Sequence, residues 1–306
     1  MLKYTIRRVC EMVPTSLGII VLTFLLFNVI GSSPAEVVLG QNATAEAIAM
    51  FNHKWGYDLP LYERFFKFMA DVFTGNFGFS IEMNEPVLDI LKRSVGPSLS
   101  LTVPVLLGSV VISLMMAMIC AHNRAGLLDK AMLFISTFLM SVNYVVWVIL
   151  GQYFLSYKLG IFPIWGYQSV FYLMLPVAIG IFTSIGPDLR FFRTAILDEI
   201  YKPYVRTAKS KNLGTFTIMT RHVLRNALIP IVTYVSLSIP YLFTGSLLLE
   251  SFFGIPGLGS AAINAIHSSD MAVVRAIVVI GALFYQLVNL AVDLMSAALD
   301  PRIKIK

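Results

Sequence analysis

An all-helical integral membrane protein is the fold class this sequence predicts, on three observations. Of its 306 residues, 57% are hydrophobic and only 13% charged, with a mean hydropathy of +0.78. One soluble core cannot hide that much apolar surface. The apolar residues fall in unbroken runs of about twenty, the length that crosses a bilayer as a helix, and lack the alternation of barrel strands. The bases gather at the edges of those runs, as insertion topology produces. The formal charge of +6 is thus a membrane pattern, and no nucleic-acid partner is expected.

Each element follows in order. Lys3, Arg7 and Arg8 precede a first span, Val9 to Ile30, which places the N-terminus in the cytoplasm. The run is too long for a signal peptide and has no small-residue cleavage site, so it reads as a retained helix. Residues 31–95 carry eight acids against five bases and form an outer cap, with amphipathic helices at Ala45–His53 and Leu61–Phe73 and turns at GYDLP and GNFGFS. Phe51, Trp55, Tyr57, Phe65, Phe66 and Phe68 need either a packing partner or the membrane interface. Span two is Pro97–Ala121, and His122–Lys130 is an inner turn. Span three is Ala131–Ser156, followed by the outer turn YKLGIFPIWGY. Span four, Ser169–Leu189, is expected to bend at Pro176, Gly180, Gly186 and Pro187. A basic stretch, 190–226, precedes span five, Ala227–Glu250. Residues 251–270 return to the outer side, and span six, Met271–Leu299, leads to the tail DPRIKIK. Sixteen of the 23 bases then lie inside, which fits six spans with both termini cytoplasmic. The domain division is 1–30 for the N-terminus and first span, 31–95 for the extracytoplasmic cap, and 96–306 for the core with its cytoplasmic loop 190–226.

The basic stretch organises the chain. Eight bases stand there against Asp198 and Glu199, while Ile196, Leu197, Ile200, Tyr204, Val205 and Ala208 recur at helical spacing. Pro203 interrupts the pattern and Asn212 with Gly214 ends it, leaving a helix of about two turns that is too short to be stable alone. It must dock on its own bundle or on a partner. No GxxxxGK[ST] phosphate loop occurs, so any ATP is hydrolysed by another subunit. His53, His122, His222 and His267 are scattered over different loops, and no metal site is expected. Cys10 and Cys120 read as inert packing residues without disulfide or zinc spacing. Glu11, Asp188, Glu250, Asp293 and Arg275 are read as lying within about two turns of a span end, where anchoring and translocation roles both stay open. No carboxylate is read at mid-span, where a proton-driven carrier needs one.

The segments YVRTAKSKNL and RHVLRNALIP resemble, nearly residue for residue, the cytoplasmic coupling motif of ABC importer permeases in the oligopeptide, dipeptide and nickel family. GYDLPLYERF, GNFGFS, FPIWGY, LLLESFFGIPGLGSAAINAI and NLAVDLMSAALDPRIK agree with the same family, so the likeness covers the whole chain. The long outer insertion resembles the B-type of the two permeases such importers carry. The resemblance implies the type I ABC importer permease fold in a bacterial inner membrane, with six transmembrane helices and a small extracytoplasmic insertion after the first. It further implies a homologous C-type permease, two ABC ATPase subunits that bind ATP and Mg, and an extracytoplasmic substrate-binding protein delivering peptides or a similar small solute. This chain would itself be non-catalytic, with no cofactor of its own.

In that family the short helix inserts into a groove of an ATPase. The residues implied are Tyr204, Val205, Arg206, Thr207, Ala208, Lys209, Lys211, Asn212 and Leu213. Tyr204 and Leu213 would anchor in the groove, Ala208 would let it approach, and the bases would pair with acids at its rim. Neutralising lipid headgroups is the other role open to those bases. Asn212 stands where the motif has glycine, and asparagine is the next most tolerant residue for a left-handed turn. Pro240 and Gly245 are read as flexing span five. Glu250, Pro256, Gly257 and Gly259 belong to a loop that lines the pathway or is an ordinary tight turn. The rival function is a secondary carrier or channel working without ATP. A structural or sensory membrane subunit is a third.

Overall fold

The computed structural model describes residues 2–30, 43–80 and 82–299, together with Ala35 and Leu39. The tail DPRIKIK and most of 31–42 lie outside the described residues, as does the side chain of Trp55. Among the described residues the fold is helical, and the only β feature is an isolated bridge between Phe79 and Pro86.

Helix α1, Leu2–Leu25, continues as π-helical Leu26–Ile30 and lies along the last helix, α13, Met271–Leu299. Ser16 donates to Gln286 Oε1 at 2.5 Å across that pair. The cap is α2, Ala45–Trp55, and α3, Leu61–Thr74, each closed by a left-handed glycine, Gly56 and Gly75. One face of α3 is buried: Phe65 and Phe68 meet Phe24 of α1 with ring centroids 5.3 and 5.9 Å apart, and Val279 of α13 completes the cluster. Phe66 stays exposed. The cap aromatics therefore divide, some packing on the bundle and some facing outward.

Helix α4, Val87–His122, and helix α7, Val170–Ile200, form the central pair. Gly180 lets them touch, since a Cβ there would sit 2.7 Å from Val105. Among the described residues four helical stretches are long and apolar enough to cross a membrane, Ile6–Asn28, Val87–His122, Val170–Ile200 and Met271–Leu294, and counting each of two bent pairs as one span brings the number to six.

The bent pairs correct two spans. Span three is not straight: α5, Leu127–Ser141, and α6, Tyr144–Gly151 with its wider turns Gln152–Lys158, meet at 93°. Asn143 makes the break by accepting from the Val145 N–H at 2.9 Å, starting a new helix inside an apolar run. Span five is not one helix either. Helical structure begins at Thr215–Thr217, passes through π-helical Ile218–Val223 into α9, Leu224–Ser236, and then stops. Pro240 heads a single turn, α10, Tyr241–Thr244, and Gly245 at φ +72 breaks it. Helix α11, Leu247–Phe253, then meets α12, Leu258–His267, at 80°. Span four is one helix through Pro176 and Pro187 and runs past its expected end at Leu189 to Ile200. Asp188, read at a span end, thus lies about three turns before the end of its helix.

Candidate functional site

One end of the bundle is built on the extension of α7. Arg193 grips the Asp129 carboxylate with two hydrogen bonds of 2.7 Å, tying α7 to α5, and Asp129 is buried. Arg190 bonds Thr137 of α5. After Tyr201 and Lys202 the chain turns into α8, Pro203–Ser210, with proline at the first helical position, where its missing N–H costs nothing.

The short helix has one buried face. Val205 and Ala208, 1% and 5% exposed, pack with Cys120, Phe192, Ile196, Met219 and Val223 in the chain's own core. The Tyr204 hydroxyl donates to Glu199 Oε2 at 2.5 Å. Burial, and then the Glu199 carboxylate, push its pKa up to about 12. Ala208 is buried and Tyr204 half-buried against the chain's own bundle. Amphipathic spacing shows that a face is buried, and it does not show against what.

The opposite face is open. Arg206, Thr207, Lys209, Ser210 and Lys211 are all exposed, and the chain leaves the helix through Asn212 at φ +56. The Asn212 N–H bonds Lys209 O at 2.9 Å and the Leu213 N–H bonds Ala208 O at 3.4 Å, closing the last carbonyls of the helix. Asparagine here adopts the left-handed conformation that the motif glycine would take. Beyond it Leu213 is exposed and Phe216 is 80% exposed. Phe216 was missed by sequence reasoning, although a lone aromatic between two threonines in a basic loop, TFT, is a signal in itself.

The half of the bundle away from α8 holds the second group. Of the residues read as pathway or gate, Gly245, Glu250, Gly257 and Gly259 come together, while Pro240 is buried ahead of α10 and Pro256 is exposed at the loop tip. Glu250 is fully buried. Its Oε1 accepts from the Ser98 hydroxyl at 2.8 Å and the Ser246 N–H at 3.0 Å, and its Oε2 from the N–H groups of Gly259 at 2.7 Å and Ser260 at 3.1 Å. Four donors fill the four acceptor positions of a carboxylate. Helix α12 starts at Gly257, which has no side chain to cap it, so Glu250 serves the free N–H groups from across the loop. A Cβ on Gly257 would run into both Glu250 and Ser98. The loop is thus a knot around one carboxylate, tied to α4 by Ser98.

Between knot and lever lies a cavity of about 360 Å³, lined from α4, α6, α7, α9 and α10–α11 by residues including Ser109, Tyr144, Thr183, Asp188, Tyr234 and Gly245. Tyr234 donates to Asp188 Oδ1 at 3.1 Å. Two carboxylates therefore sit deeper in the bundle than the spans drawn from hydropathy allowed.

A short helix with one face on the bundle and one face open, a cavity among the long helices and a buried carboxylate knot define the site, and sequence comparison places it in a family. Residues 109–305 match the model of the binding-protein-dependent transport system inner membrane component, and residues 1–102 match the N-terminal model of the same membrane components. The chain belongs to this family of permeases. It is 29% identical to the dipeptide transport system permease protein of Lactococcus lactis over the full length of both. It is 30% identical to a probable peptide ABC transporter permease protein of Sinorhizobium fredii over 98% of this chain and 99% of that one. It is also 30% identical to the glutathione transport system permease protein of Escherichia coli K12 over the full length of both. Membership makes this permease a multi-pass inner-membrane protein and implies a substrate-binding protein and ATPase partners.

Proposed function

We propose that this permease is the B-type membrane subunit of an ATP-driven importer of peptides or similar small solutes. Alongside a homologous C-type permease it forms half of the pathway, with both termini and the 190–226 loop in the cytoplasm and the 31–95 cap outside. A binding protein delivers the solute to the cap side. Two ATPase subunits, which hold the ATP and Mg, take α8 and its exit turn into a groove. The names of the relatives, which carry dipeptides, peptides and glutathione, support the solute class.

The observation that carries the coupling role is the division of α8 into two faces. Val205 and Ala208 lock it to the bundle, so that a push on the helix moves the spans. Arg206, Lys209 and Lys211, with Leu213 and Phe216 beside them, present a basic rim around an apolar tip, which suits a groove edged by acids or carbonyl oxygens. An exposed, desolvable aromatic is the usual anchor of such contacts and is worth about 2 kcal/mol or more when truncated.

The test is Phe216→Ala combined with Arg206→Glu, measured in the assembled complex. Solute uptake is expected to fall at least tenfold and the ATPase subunits to be lost on gentle detergent extraction, while the chain still inserts. Retained ATPase binding with unchanged uptake would remove this face from the contact. Uptake down a gradient by the chain without any ATPase would favour a carrier.

A further inference from the structure

We propose that Asp188 and the hydroxyls around it form a cation site in the cavity, one that takes the protonated amine of the solute. The inference rests on the permease reading above and adds to it what the pathway recognises.

The two internal carboxylates differ in how their acceptor positions are used. Glu250 has a donor for each of its four, so its loop is complete and has no vacancy for a ligand. Asp188 has the Tyr234 hydroxyl at 3.1 Å and a share of the Ser109 hydroxyl, which also lies 3.2 Å from Leu106 O. No cation among the described residues pairs with it, because the neighbouring bases of α7 are engaged elsewhere, Arg190 with Thr137 and Arg193 with Asp129. A carboxylate inside a membrane bundle that faces a cavity without a counter-charge has its remaining acceptors directed at whatever enters.

Two hydroxyls of the α7 wall have the same polarity. Thr183 gives its hydroxyl proton to the carbonyls of Ile179 and Gly180, both at 3.0 Å, and Ser184 gives its own to Gly180 O at 2.9 Å. What these two hydroxyls have left for the cavity is lone pairs. The Tyr234 proton is already directed at Asp188. The α7 side of the chamber thus offers acceptors and one negative charge, an arrangement that suits a group made only of donors. A primary ammonium carries three N–H donors and a positive charge, and a peptide's free N-terminus is such a group. The volume, about 360 Å³, lies in the range of small-molecule sites.

The experiment is cysteine labelling in the full transporter in native membranes, with Cys10→Ser and Cys120→Ala as background and Thr183→Cys as the probe position. Ser184→Cys is the alternative should Thr183→Cys not insert. The reagents are the cationic trimethylammonium-ethyl and the anionic sulfonato-ethyl methanethiosulfonates, each rate referred to a free thiol. The cation is expected to react about tenfold faster than the anion, the scale on which a charged cleft concentrates counter-ions. Asp188→Asn should abolish the preference and Asp188→Glu should keep it. Alanylalanine should slow the cationic reagent more than N-acetyl-alanylalanine does. An unchanged preference in Asp188→Asn, or no entry of either reagent, overturns the site, and equal effects of the two peptides overturn its assignment to the amine. Labelling needs no ATP, so a failure of the ATP-driven reading shows separately as wild-type uptake that does not respond to nucleotide.

Discussion

Replacing Glu250 by glutamine tests whether the outer loop is held by a carboxylate or only by its packing. The side chain keeps its shape but offers one oxygen and one NH2 group in place of two oxygens. On the Oε1 side the Ser98 hydroxyl can rotate to accept from that NH2, whereas the Ser246 N–H cannot turn and is left without a partner. On the Oε2 side the N–H groups of Gly259 and Ser260 keep an acceptor but lose its charge. One orphaned buried donor costs about 1 to 3 kcal/mol and the two weakened bonds about 1 kcal/mol together, for a total near 2 to 4 kcal/mol. For a chain of this size that is a melting shift of roughly 5 to 10 °C. The assay is thermal unfolding of the purified complex in detergent, with Ser98→Ala and the double variant closing a cycle. The two changes should be sub-additive, because each breaks the same bond. A Glu250→Gln protein melting within about 1 °C of wild type would show that the knot does not hold α12 in place.

Three further outcomes are expected. Arg193→Ala leaves Asp129 buried without its partner and should cost about 3 kcal/mol, and in transport assays ATP hydrolysis should persist while uptake falls, since the joint between α5 and α7 is cut. Asn212→Gly should stabilise the α8 exit turn by up to about 1 kcal/mol, whereas Asn212→Val at φ +56 should destabilise it by more than that, both read by protease sensitivity of the loop. The Tyr204 phenol has its pKa raised to about 12 from an ordinary value of 10. The stability this contributes is whole below pH 10 and is lost as pH rises from there through about 12. Hydrogen exchange in α8 should therefore accelerate over that window, and Tyr204→Phe should remove the step.

Hydropathy alone placed the helices that run straight, because a span of about twenty apolar residues is a property of composition. It misplaced the breaks, because these are made by single polar contacts. Asn143 in the run SVNYVVW was a legible N-cap, and Pro240 with Gly245 a legible interruption, yet unbroken apolarity on both sides outweighed them. The basic lever was legible to within a few residues, since proline begins it and asparagine ends it. Which face it buries was not, because Ala208 and Val205 are as suitable for a partner as for the neighbouring Phe192 and Val223. Nor was the Glu250 knot, in which Ser98 stands 152 residues away in sequence. Three glycines in the loop SFFGIPGLGS just after a glutamate signal a tight structure, but only the fold supplies its other half.

The cavity has two walls of different attachment. One is α7, which carries Thr183, Ser184 and Asp188 and runs unbroken to Ile200, two residues before α8. Leu189, Phe192 and Ile196 of α7 share a core with Val205 and Ala208, so the lever and this wall move together. The other wall includes Gly245, Ser246 and Leu249, fixed through Glu250 to Ser98 of α4. A stroke delivered at α8 therefore reaches Asp188 through a continuous helix, and reaches the knot through the packing of α7 on α4 and α11 and along residues 237–246, where neither α9 nor α11 extends. That connection contains Pro240, which lacks the N–H a continuous helix would use, and Gly245, whose φ of +72 few other residues adopt. The break in span five is thus the joint at which one wall can shift against the other. A straight helix over 227–250 would have removed that joint.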